Sequence, residues 1–146
     1  MAKKTAREKQ LDTLLRIRRL EEDLAKGALA SANAATRAAY ARLEDSQATY
    51  ARTVTPPSSC DVARFRAHLA HTTSAAAMVR GAQRGIEQAE EDAAARRDQV
   101  RSARIKSQGL ERLVDRVQEA AFAEMLAADQ RTAEESRAGN YSKGRR

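Results

Sequence analysis

The two prolines of this chain are adjacent, Pro56 and Pro57, and there are no others in its 146 residues. Proline fixes φ, has no amide donor and pushes the residue before it out of the α region. The segment TVTPPSSCD, where β-branched and small hydroxyl residues also gather, is therefore the one strong break, and a helical pattern runs on both sides of it. A chain of this kind has few options beyond two long helices. Ser58 or Ser59 is placed to cap the second, and Ser58 with Asp61 makes a weak capping box, so that helix is expected to start near Asp61.

Upstream of the break, Leu11, Leu14, Leu15, Ile17, Leu20 and Leu24 recur three and four apart, and Leu29, Ala32, Ala39, Leu43, Tyr50 and Val54 continue the stripe. Downstream, Val62, Phe65, Leu69, Ala76, Val79, Ile86, Ala93 and Val100 keep heptad spacing, with Thr72, Gln83 and Glu90 in weaker seam positions. The pattern runs on through Leu110, Val114, Val117 and Ala121, then fades toward Gly139, Asn140 and Gly144. Composition agrees. The residues are 42% hydrophobic, largely alanine, 32% charged and only 3% aromatic, which suits long helices and coiled coils and excludes a bulky globular core of the α/β enzyme kind.

The expected fold is all-α, a single antiparallel coiled-coil hairpin over 1–146 with the second helix the longer. Its parts are helix 1 over about 6–52, a turn over about 53–60, helix 2 over about 61–137 and a basic tail over 138–146. If residues flanking the turn pair, partner numbers add to about 114. Leu11 then faces the region of Ala103, Leu24 faces Glu90 to Ala94, and Tyr50 and Val54 close the tip against Val62 and Phe65. Beyond about Gly109 nothing is left to cover helix 2, an overhang of about 27 residues or ~40 Å. Leu110, Leu113, Val114, Val117, Phe122, Met125 and Leu126 would form its apolar face, and an uncovered face of that length is normally a partner site.

Signals of chemistry are weak. His68 and His71 lie near Cys60, but no second cysteine or carboxylate cluster completes a ligand set, so no metal and no cofactor is expected. Gly81 and Gly85 in RGAQRG have no preceding strand and no following Lys-Ser/Thr, which leaves them as helix-interior glycines rather than a phosphate loop; Gly109 falls where pairing should end. A two-stranded hairpin has almost no concavity, so no catalytic residue is assigned and the protein is not expected to be an enzyme. One cysteine cannot staple the chain internally, no apolar run is long enough to span a bilayer, and MAKKTAREKQ is not followed by a signal-type apolar stretch, so the cytoplasm is the expected compartment.

Twenty-seven Lys and Arg against twenty Asp and Glu leave a net charge of +7. Lys3, Lys4, Arg7, Lys9, Arg16, Arg18 and Arg19 of the first helix and Lys143, Arg145 and Arg146 of the tail cluster at the open end of the hairpin. That allows a nucleic-acid partner, but interleaved Glu8, Asp12, Glu21, Glu22 and Asp23 and the absence of an aromatic stacking platform argue against it. A self-associating coiled-coil scaffold, paired through the overhang, is the other alternative.

Two segments carry a family resemblance. LDTLLRIRRLEEDLA places Leu14, Leu15, Arg16, Arg18, Glu21 and Glu22, and ARIKSQGLERLVDRVQEA places Leu110, Glu111, Arg112, Leu113, Asp115 and Arg116, in patterns that resemble the FliJ family of flagellar export proteins and the YscO-type injectisome stalk proteins. The closing ADQRTAEESRA is similar to that family's charged end, with Ala133 and Glu134 where a Leu-Asp pair is often found. The resemblance implies a hairpin like a rotary-ATPase stalk, a protein of type III export. It implies three partners: a hexameric export ATPase whose pore receives the end bearing both termini, the cytoplasmic domain of an export-gate membrane protein, and export chaperones. It implies peripheral placement at the inner face of the cell membrane through that apparatus. Arg16 and Arg19 join the overhang as the expected ATPase contact, and Phe65 and Leu69, four apart early in helix 2, have the spacing of the family's gate contact.

Overall fold

A computed structural model describes residues 6–143, with side chains for 6–137. Among the described residues every element is α-helix: α1, Ala6–Val54, and α2, Val62–Lys143, packed against each other and joined by residues 55–61. Asp61 caps α2, accepting from the Arg64 amide at 2.7 Å through Oδ1, while the Phe65 amide closes the first helical turn on the Asp61 carbonyl at 2.9 Å. The cap is therefore Asp61 itself rather than Ser58 or Ser59. Mid-helix Thr and Ser hydroxyls return their hydrogen bond to the carbonyl four residues back, as Thr13 does to Lys9 and Thr132 to Ala128, and so leave the helix unbroken. α2 continues through Lys143, beyond the expected end near 137; the last three residues of the expected tail lie outside the described residues.

The described residues divide into two compact units, 22–103 and the pair of segments 6–21 and 104–143. In the unit 22–103, α1 and α2 form a helical hairpin. Thr72 Oγ1 donates to the Thr53 carbonyl at 3.4 Å and Thr36 Oγ1 to the Ala89 carbonyl at 3.2 Å, so partner numbers add to 125 here, not 114. The reason lies in the link. Residues 55–61 hold bends but no hydrogen-bonded turn, since two prolines remove amide donors there, and a seven-residue link can span up to ~23 Å. The first ten residues of α2, 62–71, consequently stand beyond the last paired residue of α1, a projection of about 15 Å. Tyr50 and Val54 do not close the tip as expected: Val54, Val62, Phe65 and Leu69 are all exposed, Val62 at 70%.

The seam of this unit is built from small residues. On α1 it runs through Ala25, Leu29, Ala32, Thr36, Ala39, Leu43, Ser46, Tyr50 and Thr53. On α2 it runs through Thr72, Ala75, Val79, Ala82, Ile86, Ala89, Ala93 and Val100, with Ala93, Ala75, Ala39 and Ile86 the most buried. Alanine at alternate layers lets the backbones approach closely, which compensates for the scarcity of large side chains. Gln83 and Glu90, expected in the seam, are exposed; Ala82 and Ala89 hold the positions one residue earlier, which completes a strict three-four alternation. Leu24, expected to face Glu90 to Ala94, is 75% exposed.

In the unit of 6–21 and 104–143, the opening of α1 lies antiparallel to α2. Leu11 approaches Val114 and Val117, and Arg19 donates to Glu111 Oε1 from Nε at 3.0 Å and from Nη2 at 2.8 Å. Leu11 thus meets Val114 rather than Ala103. Its seam holds Glu8, Leu11, Leu15 and Arg18 against Ser107, Leu110, Val114 and Val117, with Ser107 and Val114 buried.

Candidate functional site

Burial follows from the register. Because α1 reaches as far as Gln118, the part of α2 beyond Gly109 is not all uncovered, as the shorter register required. Val114 is 7% exposed and Leu110 and Val117 are half-buried in the seam, so these three are core residues of their unit. Leu113, Phe122, Met125 and Leu126 are exposed. At about 100° per residue, Phe122, Met125 and Leu126 centre about a third of a turn around the helix from Leu110, Val114 and Val117. The expected single apolar face is in fact two: one that α1 covers and one, after Gln118, that solvent covers.

The charges around this unit separate in the same way. Arg18 is half-buried and pairs with Glu21 at 2.8 Å, and Arg19 is committed to Glu111 at 2.8 Å with both side chains partly exposed. Such pairs contribute at most about 1 kcal/mol and act chiefly in holding register. Arg7, Lys9 and Arg16 stand exposed on α1. Lys3, Lys4, Arg145 and Arg146 lie outside the described residues, as does the Lys143 side chain.

The outer face of α1 carries residues that sequence periodicity assigned to the seam. Leu14, Ile17 and Leu20 are 41%, 46% and 56% exposed, while Leu11 and Leu15 turn inward. Leu14 and Leu15 are neighbours about 100° apart, so one strip of a helix facing one partner could not seat both centrally. That adjacent pair was the signal for a second stripe.

At the tip of the unit 22–103, Phe65 and Leu69 are exposed on the projecting turns of α2, with Arg64 and Arg66 beside them. Phe65 and Leu69 are thus left on the surface, ahead of Thr72, whose hydroxyl bonds to the Thr53 carbonyl of α1. Cys60 is exposed, and among the described residues no group of three or more His, Cys, Asp or Glu converges as metal ligands would. Further along the same unit, Tyr40 donates its hydroxyl proton to Glu90 across the two helices. This hydrogen bond, seconded by the carboxylate charge, raises the Tyr40 pKa above 10.0. Near it, Gly81 and Gly85 open with Met78 and Ala82 onto a shallow groove beside Ala39 and Arg42, and a Cβ at either glycine would meet nothing within 4 Å.

No helix among the described residues is long and apolar enough to cross a membrane. A family model, the flagellar FliJ protein, matches residues 7–146. No curated protein and no solved structure matches the chain.

Proposed function

The chain belongs to the flagellar FliJ family, whose members are non-catalytic components of flagellar export, and from that membership we propose that it is a stalk protein of the export ATPase. It binds the hexameric ATPase through the unit that carries both chain ends, with Phe122, Met125 and Leu126 entering apolar contacts and the exposed Leu113 and Arg16 as separate, further contacts. Arg19 serves this contact indirectly, by holding α1 on α2 through Glu111. Leu110, Val114 and Val117 shape the same surface from beneath. Phe65 and Leu69 at the projecting tip contact the cytoplasmic domain of the export-gate membrane protein, and export chaperones are further partners. The protein works in the cytoplasm, held at the inner face of the membrane by these partners.

The observation that carries the proposal is the exposed trio Phe122, Met125 and Leu126 on a stretch of helix past the reach of α1. Three large apolar side chains grouped on one exposed helix face mark a contact surface, and basic side chains nearby favour an acidic partner. The test is co-purification of the export ATPase encoded in the same cell with the chain carrying Phe122→Asp and Leu126→Asp. Both side chains are exposed, so helicity stays unchanged while ATPase recovery is lost. Undiminished recovery refutes the assignment. The corresponding pair Phe65→Asp and Leu69→Asp should leave ATPase recovery intact and remove the gate domain.

A further inference from the structure

The outer face of α1 between Gln10 and Glu21 has a periodicity of its own. Gln10, Thr13, Ile17 and Leu20 follow one another at intervals of three, four and three, the alternation of a coiled-coil seam, on the side of α1 away from Leu11, Leu15 and Arg18. Ile17 and Leu20 are half-exposed, as is Leu14 beside them. If Gln10 and Ile17 are taken as a positions and Thr13 and Leu20 as d positions, Lys9 and Arg16 fall at g, and Leu14 and Glu21 fall at e.

We propose that two copies of this chain pair in parallel through this face, with Ile17 and Leu20 stacked on their counterparts. The charges select both the occupant and the direction. In a parallel two-stranded pair each g residue faces the e residue five positions on in the other helix. Arg16 then faces Glu21 of the second copy, and by symmetry the relation holds twice, since a two-fold interface repeats every contact. Lys9 faces Leu14, so no like charges are brought together along the seam. Glu21 is held on the surface by Arg18 at 2.8 Å and its side chain remains half-exposed, available to a second arginine. Three half-exposed aliphatic side chains per copy bury less than the about 1,600 Å² of a standard interface, so the association is weak and depends on concentration. The surface shares Arg16 with the proposed ATPase contact but none of Phe122, Met125 and Leu126, so the aspartate pair at Phe122 and Leu126 separates the two proposals.

Sedimentation equilibrium of the full chain from about 10 µM to about 1 mM tests it. The expected result is a mass rising from monomer toward dimer, with Ile17→Asp held monomeric over the whole range. Glu21→Arg weakens the dimer a few-fold and the added Arg16→Glu restores it, an exchange of charges that leaves the apolar face untouched. In a Cys60→Ser background, Gln10→Cys forms an intermolecular disulfide on mild oxidation, because parallel pairing places both copies of residue 10 in one layer. A monomer at every concentration overturns the proposal. So does a dimer that survives Ile17→Asp, or one abolished by Phe122→Asp with Leu126→Asp. A dimer without the Gln10→Cys cross-link overturns the parallel arrangement.

Discussion

Val114→Asp is the sharpest probe of how the two helices are aligned. Val114 is 7% exposed, so nearly the whole of a valine's burial, about 1.5 kcal/mol at the low end for such side chains, is forfeited. Aspartate is also a poorer helix former by a few tenths of a kcal/mol. Its carboxylate must be desolvated in the seam or swing out past Glu111 and Asp115, either of which adds about 1 kcal/mol. The sum is about 2–4 kcal/mol. Leu126→Asp supplies the control: that side chain is exposed, and the change costs about 1 kcal/mol or less. Urea titrations followed by far-UV circular dichroism compare the two. Hydrogen exchange localises the loss, with protection falling in 6–21 and 104–118 for Val114→Asp. If Val114→Asp proves no more damaging than Leu126→Asp, α1 does not cover this part of α2 and the register described above is wrong.

Two further outcomes follow from local geometry. Titration of Tyr40 by phenolate absorbance should give a midpoint above 10.0 that returns to the ordinary value in Glu90→Gln, since the carboxylate both accepts the phenol's hydrogen bond and repels the phenolate. The folded pKa being the higher one, the contribution to stability is complete below pH 10.0 and is lost as pH rises from there through the folded value. Gly81→Ala with Gly85→Ala should raise the unfolding midpoint, each gaining up to about 1 kcal/mol of helix propensity, because neither new methyl meets an atom within 4 Å. A lower midpoint would mean that the glycines are needed where the helices approach.

Much of this was written in local chemistry. Two adjacent prolines mark where one helix ends, and the start of the next near Asp61 was legible too, because such effects act within a few residues; which side chain caps it was not, since Asp61 and not Ser58 or Ser59 takes the amide. The type of seam was equally plain, since Thr72, Val79, Ile86, Ala93 and Val100 recur every seven residues. The choice between neighbouring apolar candidates was not legible. Ala75 and Ala76 differ by about 100° around the helix but hardly in hydrophobicity, and the same is true of Leu14 and Leu15. Only a partner distinguishes them. The exposed trio at Phe122, Met125 and Leu126 was found, but joined to Leu110, Val114 and Val117 because rotation around a helix is lost when residues are read as a list.

Helix, break and heptad period depend on each residue and its near neighbours, so the amino-acid order alone determined them, along with the family; the cap fell to Asp61 rather than to Ser58 or Ser59. Register depends on how far the link carries the chain before the second helix starts, a distance that no local preference specifies. The tertiary structure decided that Thr53 meets Thr72, and from that one offset came the projecting tip with Phe65 and Leu69. The contact of Leu11 with Val114 decided in the same way which apolar residues of the other unit are core and which are left for a partner.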